Sequence, residues 1–419
     1  MTPYQERLVD RVLDDLVPDV AVALDGPRGV GKTATAARRC TTVISLDDPV
    51  QRQTLAADLS RVRTLPAPVF LDEWQRHPPV WDAVRRAVDD GISHFVLAGS
   101  ATPVDATVHS GAGRIVRLRM RPMGLTERAL APATVSLAGL MTGARGRLSG
   151  SSPVTLEQYA GEIVASGFPG IRRMRPRQRQ LQLDGYLTTV VERDFESQGR
   201  ALRRPTALRG WLASHAAATS TTASYNSLLD AATPGQADKP SKVTAIEFRD
   251  VLDGLWLLDP VPGWLPAAGA LDRLTQAPKH HLADPALAAR LLNVDADALL
   301  TGRTRQLRGH GSMFGALFES LVTQTVRVVA AALGSETFHL RTRGGDHEVD
   351  LVVEGAERRV LAIEVKLGGS VDDGDVRHLR WLGQRLKDDL LDAIVVTTGP
   401  EAYRRADGIG VVPAALLGP

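Results

Sequence analysis

The chain has 419 residues, of which 43% are hydrophobic, and a formal net charge of +2 at pH 7. This length and composition predict roughly two to four domains with sizeable cores. No apolar run approaches the length of a membrane span, and the first residues lack the apolar region of a signal peptide. The single cysteine, Cys40, excludes an internal disulfide and a cysteine-cluster metal site. We therefore expect a cytoplasmic protein that makes no contact with a membrane.

The first predicted element is a short apolar strand at residues 20–24, followed by Gly-Pro-Arg-Gly-Val-Gly-Lys-Thr. This octapeptide fits the P-loop pattern G-x-x-x-x-G-K-[ST], and residues 34–39 are expected to begin a helix. A strand, a glycine-rich turn and a helix N-terminus together place backbone N–H groups around a phosphate. The predicted nucleotide-binding residues are Gly26, Pro27, Arg28, Gly29, Val30, Gly31, Lys32, Thr33 and Ala34.

Within this loop, Lys32 is expected to reach the β- and γ-phosphates of ATP, and the Thr33 hydroxyl to ligate Mg²⁺. Only six of the fifty basic residues are lysines. Where arginine is the default, a lysine indicates a need for a compact point charge. Two of the six, Lys32 and Lys366, lie in motifs that have the character of catalytic sites.

A second apolar strand, at residues 69–71, ends in the acidic pair Asp72 and Glu73. Asp72 is expected to hold Mg²⁺, directly or through water, and Glu73 to orient the attacking water as general base. Acidic pairs are also common at exposed strand ends. The position of this pair after a P-loop favours the catalytic interpretation.

A third strand, at residues 94–98, is followed by Gly99-Ser100-Ala101-Thr102. Ser100 or Thr102 could hydrogen-bond the γ-phosphate or the lytic water, the sensor role in AAA-type ATPases, although a simple Gly-Ser turn is the alternative. Arg114 is a candidate arginine finger or sensor arginine.

The middle of the chain is predicted to be helical. A loop-rich boundary covers residues 129–152, and helices are expected at residues 156–166 and 178–195. Residues 207–258 are also predicted to be largely helical and resemble a winged-helix unit. Such units bind DNA or pack as adaptors, and the sequence leaves both interpretations open.

Arginines are concentrated in this region and beyond it, although the net charge is too small to indicate nucleic-acid binding by itself. Arginine clusters can bind phosphate backbones, but they also occur on solvated helix faces. The sequence therefore leaves contact with DNA or RNA open. The clustered residues are Arg172, Arg173, Arg175, Arg177, Arg179, Arg200, Arg203, Arg204, Arg209, Arg303, Arg305 and Arg308.

The C-terminal part carries a second constellation. A helix over residues 313–331 contains Glu319, and strands are predicted at 337–342, 348–353, 360–365 and 393–397. Side chains alternate along a strand, so Glu364 and Lys366 share one face. If Asp350 faces the same way, the group could bind a divalent ion and position a water against a phosphodiester. The alternative is an amphipathic hairpin with a solvated polar face.

In this C-terminal site the predicted metal ligands are Asp350 and Glu364, with Glu319 completing the set. Lys366 is expected to stabilise the developing charge or to orient the water. We predict a restriction-endonuclease-like fold for this part, whereas nuclease activity stays open.

Taken in order, the motifs resemble those of prokaryotic AAA-like ATPases that end in an uncharacterised domain related to PD-(D/E)xK nucleases. The resemblance implies ATP binding and hydrolysis and a C-terminal domain with a nuclease fold. Val349 precedes Asp350, so the Pro-Asp of the nuclease motif is absent. The matching stretches are residues 26–33, 45–49, 71–75, 97–100, 113–114, 167–169, 192–194, 315–319, 345–350 and 363–366.

The predicted fold is α/β and has four parts. They are a parallel-sheet AAA-like P-loop domain (1–130), a helical lid-like segment (153–200), a winged-helix-like domain (201–275) and the nuclease-like domain (276–419). The predicted function is ATP hydrolysis coupled to a C-terminal domain that acts on or binds nucleic acid.

The alternative function is a nucleotide-dependent regulatory or defence switch, in which an inactive nuclease-like domain binds a partner. The expected cofactors are ATP and Mg²⁺. Assembly into a homo-oligomer is left open, and a P-loop small-molecule kinase is a distant third.

Overall fold

The computed structural model describes residues 4–101, 111–195, 205–232, 242–266, 277–302 and 313–419. The predictions for Thr102, for Arg200, Arg203 and Arg204, and for Arg303, Arg305 and Arg308 lie outside these residues. The described part is α/β, with a parallel sheet near the N-terminus and a mixed sheet near the C-terminus.

The N-terminal sheet has five parallel strands in the order β2-β3-β4-β1-β5. The strands are β1 (Ala21–Asp25), β2 (Thr42–Ser45), β3 (Val69–Asp72), β4 (Phe95–Gly99) and β5 (Ile115–Arg119). The helices are α1 (Leu8–Leu16), α2 (Lys32–Ala37), α3 (Pro49–Ala57) and α4 (Pro79–Asp89). Strands β1, β3 and β4 are buried along their whole length, as continuous apolar runs predict. Their carboxyl ends meet at one edge, where α/β sheets bind ligands.

The middle of the chain is helical and ends in a short β-pairing. The helices are α7 (Leu156–Ala165), α8 (Pro169–Arg172), α9 (Pro176–Thr189), α10 (Pro205–Ala217), α11 (Tyr225–Ala232), α12 (Lys242–Gly254), α13 (Pro285–Leu291) and α14 (Ala296–Thr301). A π-helical turn, Val190–Asp194, follows α9. After α12, Leu258 pairs with Leu282 and Val261 with Lys279 in antiparallel bridges. The second segment of this pairing, residues 279–282, lies beyond residue 275, where a domain boundary was predicted from the sequence.

Residues 129–152 were expected to be a loop-rich boundary, but most of their length packs on the C-terminal domain. The elements here are α5 (Leu125–Arg128), β6 (Val135–Ser136) and α6 (Leu137–Leu140). Strand β6 pairs in parallel with β13 (Leu417–Gly418), and Arg145 donates hydrogen bonds to the carbonyl oxygens of Leu390 and Leu391. Glycine allows close packing here, since a Cβ at Gly150 would lie 2.2 Å from Thr134 Oγ1 in the same segment and 3.1 Å from Leu416 Cδ1 in the C-terminal domain.

The C-terminal domain is a six-stranded mixed sheet in the order β11-β12-β10-β9-β8-β7. Its strands are β7 (Glu336–Arg341), β8 (Glu348–Glu354), β9 (Val360–Lys366), β10 (Leu390–Thr397), β11 (Tyr403–Arg404) and β12 (Gly410–Pro413). Its helices are α15 (Met313–Ala332) and α16 (Arg377–Leu386). Strands β7, β8 and β9 are antiparallel, whereas β9, β10 and β12 run parallel. The four predicted strands agree with β7 to β10 within a few residues.

Alternate residues of this sheet face two different cores. Leu351 and Ile363 pack with α15, while Val352 and Ala362 pack with α16. Because both faces of the sheet are covered, its central strands are largely apolar, and this pattern predicts them from the sequence. None of the described helices, the 20-residue α15 included, is long and apolar enough to cross a membrane.

One buried carboxylate joins the three parts of the chain. Asp259 contacts Arg119 (3.1 Å) at the end of β5, Arg121 (2.8 Å) just beyond it, and Arg327 (2.9 Å) on α15. Burial alone would raise the pKa of Asp259, but the three guanidinium groups outweigh it and hold the pKa well below its usual range. The segment that carries Asp259 is thereby fixed to both sheets.

Replacing Asp259 by Asn should destabilise the protein strongly. The substitution leaves three guanidinium groups without the carboxylate that they share, and breaking a buried ion pair in this way costs about 3–5 kcal/mol. Urea unfolding of the full chain measures the loss. The control is Asp250→Asn, whose partner Arg249 is exposed and whose loss should be below about 1 kcal/mol. Equal losses in the two variants would contradict the role given to Asp259.

Candidate nucleotide site and a second acidic pocket

The predicted P-loop lies at the carboxyl edge of the sheet, between β1 and α2. Gly26, Gly29 and Gly31 have φ values of 156°, 79° and 109°, in the region that favours glycine. A Cβ at Gly26 would also lie 2.3 Å from the carbonyl oxygen of Met120. The loop therefore requires glycine at Gly26 for both backbone conformation and space.

Lys32 lies inside this loop. Its side chain is buried, and Nζ donates hydrogen bonds to the carbonyl oxygens of Gly26 (2.7 Å) and Pro27 (3.0 Å). Desolvation lowers the pKa of Lys32 to about 8, although the nearby carboxylates of Glu73 and Asp72 oppose the shift. The ammonium is thus placed where a phosphate is expected, and no carboxylate in the described part of the chain forms an ion pair with it.

Thr33 and Asp72 are brought together as predicted. Thr33 Oγ1 donates a 2.8 Å hydrogen bond to Asp72 Oδ2, which connects the first turn of α2 to the end of β3. Burial raises the pKa of Asp72. A hydroxyl and a carboxylate are hard oxygen ligands, so the pair fits Mg²⁺ when phosphate oxygens and water complete its coordination.

Glu73 has an unusual backbone conformation, with φ 51° and ψ 44°, which is uncommon for a residue other than glycine. Ser100 Oγ donates to Glu73 Oε2 (2.9 Å), and Gln75 Nε2 donates to the same oxygen and to Ser100 Oγ (3.1 Å). The structure therefore joins the end of β3 to the end of β4. Gln75 was given no role from sequence, although it lies in the motif stretch 71–75.

Arg114 is not brought to this edge. It immediately precedes β5, whose first residue, Ile115, pairs with Ala21 at the start of β1. Its guanidinium binds Asp89 at 2.8 Å. Within one chain the sensor role is therefore contradicted, because Arg114 and the P-loop lie at opposite edges of the sheet. An arginine-finger role would require a second copy of the chain.

Two contacts to the P-loop were missed in the sequence. Arg28 forms a 2.9 Å ion pair with Asp194, the last residue of the π-helical turn. The buried Arg7 donates a 3.1 Å hydrogen bond to the Val30 carbonyl oxygen. Asp194 lies in the stretch 192–194, which matches the family motifs but was given no predicted function. No sequence pattern indicated Arg7.

Part of the arginine cluster between residues 172 and 179 is structural. Arg172 makes two hydrogen bonds to the Glu162 carboxylate, at 2.6 and 2.9 Å. Arg179 donates to the carbonyl oxygens of Arg172 and Met174. These two side chains stabilise the helical region, and this use reduces the weight of the cluster as a nucleic-acid signal.

The four predicted C-terminal site residues lie around one pocket of about 590 Å³. Glu319 comes from α15, Asp350 from β8, and Glu364 and Lys366 from β9. Lys366 Nζ binds Glu364 Oε1 at 2.9 Å, and the Val365 backbone N–H donates to Asp350 Oδ2 at 2.9 Å. Residues 219–223, between α10 and α11, line the pocket from the side of the middle region.

In this pocket, where the sequence predicts a metal site, an ammonium lies among the carboxylates. Lys279 Nζ is 2.9 Å from Glu319 Oε1, 2.9 Å from Asp350 Oδ1 and 3.2 Å from Glu348 Oε1. Burial alone would lower the pKa of Lys279, but these carboxylates outweigh it and raise the pKa well above its usual value. In the described ranges no group of three or more acidic, histidine or cysteine side chains is arranged to hold a metal ion.

The carboxylates around Lys279 differ in their titration. Burial, followed by the charge of Asp350, raises the pKa of both Glu319 and Glu364 to about 8. For Asp350 itself, burial is outweighed by Lys279, and the pKa is lowered. Neither Lys279 nor Glu348 was identified in the sequence, although Lys279 is one of the six scarce lysines.

Comparison with known families assigns the N-terminal part. Residues 19–129 match a protein-family model described as an AAA domain. This region is therefore similar to AAA-like P-loop ATPase domains, and at the family level the similarity suggests ATP binding and hydrolysis. Residues 156–298 and 314–417 match models described as domains of unknown function, DUF8612 and DUF4143.

Individual proteins with 27% sequence identity or less also resemble this chain. The uncharacterized proteins Rv2008c of Mycobacterium tuberculosis and Mb2031c of Mycobacterium bovis are each 27% identical over 355 residues, 82% of this chain and 70% of theirs. The Walker-type ATPase PABY2304 of Pyrococcus abyssi is 14% identical with a TM-score of 0.41, covering 69% of this chain and 96% of that one. The ORC2 protein of Aeropyrum pernix is 15% identical with a TM-score of 0.28, covering 70% and 92%. Structural similarity at these scores carries no argument.

The buried position of Lys32 predicts a pH-dependent affinity for ATP. Phosphates should keep the bound ammonium charged, whereas the free protein loses this charge above its pKa of about 8. Affinity should therefore be constant below pH 8 and fall about tenfold between pH 7 and 9. Equilibrium binding of an ATP analogue across this range measures the effect. In Lys32→Arg the guanidinium stays charged, so binding should be weaker but lack the fall, and a slope equal to that of the wild type would contradict the assignment.

Proposed function

We propose that the N-terminal domain binds ATP with Mg²⁺ through the P-loop and hydrolyses it with Glu73 as the general base. The observation that carries the proposal is the convergence, at one edge of the sheet, of Lys32, the Thr33–Asp72 pair and the Glu73–Ser100 hydrogen bond. These groups supply a phosphate contact, a metal site and a base, the three parts that phosphoryl transfer to water needs.

The residues of the site would have separate roles in binding and hydrolysing ATP. Lys32 would exchange its contacts with the Gly26 and Pro27 carbonyl oxygens for the β- and γ-phosphates, and Thr33 and Asp72 would hold Mg²⁺. The metal ion supplies neutralisation of the charge that develops on the phosphates. Glu73 would accept a proton from the attacking water, while Ser100 holds its carboxylate in place.

For the C-terminal domain we propose a nuclease-like fold that binds nucleic acid. The order α15-β7-β8-β9-α16-β10 and the meeting of Asp350, Glu364 and Lys366 support the fold. Basic side chains at the same pocket support the ligand, since phosphate backbones are bound mainly through such charges. These side chains are Arg341, Lys366 and Arg377.

Two functions follow for the whole chain. In one, ATP hydrolysis controls a phosphodiesterase site that acts on nucleic acid. In the other, the chain is a nucleotide-dependent regulatory or defence switch whose nuclease-like domain binds without cutting. The ammonium of Lys279 among the carboxylates favours the second, because the first requires a divalent ion there.

The ATPase assignment is tested by separating binding from turnover. Glu73→Gln retains the shape of the side chain but removes the base, so ATP should stay bound while turnover falls about 10²–10⁴-fold. Lys32→Ala removes a charge from the phosphate site, so affinity itself should fall. Steady-state ATPase rates and equilibrium ATP binding measure both effects, and Glu157→Gln, an exposed carboxylate on α7, is the matched control. A Glu73→Gln rate equal to that of the wild type would rule out Glu73 as the base.

The nucleic-acid assignment is tested with labelled DNA and RNA oligonucleotides and Mg²⁺. Binding should weaken as salt rises, and Arg377→Ala should reduce the slope of log K against log salt by about 1. Arg249→Ala, which removes an exposed arginine on α12, is the control. Retention without cleavage is the expected result. Mg²⁺-dependent nicking that Asp350→Ala abolishes would instead establish the first of the two functions.

A further inference from the structure

The contacts of Lys279 pair its ammonium with three carboxylates. Nζ donates hydrogen bonds to Glu319 Oε1 and Asp350 Oδ1, both at 2.9 Å, and forms an ion pair with Glu348 Oε1 at 3.2 Å. The Lys279 side chain is 1% exposed, so water contributes little to its solvation. A buried charge is stable when it is paired and hydrogen-bonded in this way.

The distances around Nζ fit an ammonium better than a divalent metal ion. Mg²⁺ binds oxygen at about 2.0–2.1 Å and Ca²⁺ at about 2.3–2.6 Å, whereas the three oxygens lie 2.9, 2.9 and 3.2 Å from Nζ. The two shorter contacts have the length of the charge-assisted hydrogen bonds of an ammonium, about 2.7–2.9 Å.

Glu364 contributes a further carboxylate oxygen beside this group. Its Oε1 binds Lys366, while its Oε2 is buried and has no hydrogen-bond partner among the residues that the structure describes. An unpartnered carboxylate oxygen inside a pocket is the kind of group that a metal ion would recruit if the competing ammonium were removed.

The backbone of Lys279 belongs to the middle region rather than to the sheet that supplies the carboxylates. Its N–H and C=O both pair with Val261 at 2.9 Å, and the next residue, His280, pairs with Thr221 and Ser220 at 2.8 Å. Val261 follows Asp259 by two residues, and Asp259 is bound by arginines that follow β5. The ammonium is therefore held in the pocket by a segment fixed to the N-terminal domain.

We propose that Lys279 is the resident cation of the C-terminal pocket. Its ammonium takes the place of a divalent metal ion, and the pocket binds neither Mg²⁺ nor Mn²⁺ while residues 279–282 remain paired with residues 258–261. Removal of the ammonium converts the carboxylates of Glu319, Asp350 and Glu364 into a divalent-cation site. This inference does not depend on ATP hydrolysis at the P-loop.

The test is thermal unfolding of the full chain with increasing Mn²⁺, without nucleotide, in an Asp72→Asn background that removes the P-loop metal ligand. The background protein should show no change in Tm. Adding Lys279→Met should lower Tm without metal, because three carboxylates lose their cation, and should produce a Tm that rises with Mn²⁺ concentration. Adding Asp350→Asn to Lys279→Met should abolish the rise.

Lys366→Met is the matched control, since it removes the other lysine of the pocket and leaves Lys279 in place. It should give no response to Mn²⁺. A Tm rise in the background protein that Asp350→Asn removes would overturn the proposal, and so would a folded Lys279→Met variant that ignores Mn²⁺. If Lys279→Met does not fold without metal, its refolding yield is compared with and without Mn²⁺: rescue supports the proposal, and equal yields overturn it.

Discussion

The ion pairs of Asp259 are the constraint on which the arrangement of the three parts depends. Three arginines converge on this carboxylate: Arg119 at the end of edge strand β5, Arg121 just beyond it, and Arg327 on α15. A buried carboxylate without a partner is unfavourable in free energy, and so are three guanidinium groups without one. Displacing the segment that carries Asp259 would break these ion pairs and leave both kinds of group unpaired. The same segment pairs with the strand that carries Lys279. The segment therefore contacts both the end of β5, the neighbour of the P-loop strand β1, and the residue that places an ammonium in the acidic pocket.

Each of the two sites contains a buried lysine that contacts polar groups of its own chain. In the P-loop, Lys32 contacts backbone carbonyl oxygens and has a lowered pKa, because desolvation outweighs more distant carboxylates. In the C-terminal pocket, Lys279 contacts three carboxylates directly and its pKa is raised. The Lys32 ammonium is available to bind an anionic ligand, whereas the Lys279 ammonium is already paired with carboxylates of the protein. This difference in charge balance is the reason for assigning catalysis to one site and binding to the other.

Local patterns were sufficient to predict much of the fold. Strands β1, β3 and β4 are nearly continuous apolar runs, and β7 to β10 alternate or are mostly apolar, so each was predicted from its own residues. Strand β2 is half-exposed, and in β5 apolar residues alternate with arginines whose partners are distant in sequence. Neither strand was therefore identified from the sequence. Residues 129–152 have the composition of a loop, yet tertiary contacts hold them against the C-terminal sheet. The partners of Lys279 lie 40 and 71 residues away, which no local pattern encodes.

The central claim is that divalent metal binds at the P-loop and that an ammonium replaces it in the C-terminal pocket. The most direct measurement is anomalous diffraction from crystals of the full chain grown with a non-hydrolysable ATP analogue and Mn²⁺. The account predicts an anomalous peak beside Thr33 and Asp72, in contact with the phosphates, and Lys279 still bound to Glu319 and Asp350 without a peak there. A Mn²⁺ ion within about 2.5 Å of Asp350 or Glu364, or an analogue bound away from the P-loop, would contradict it.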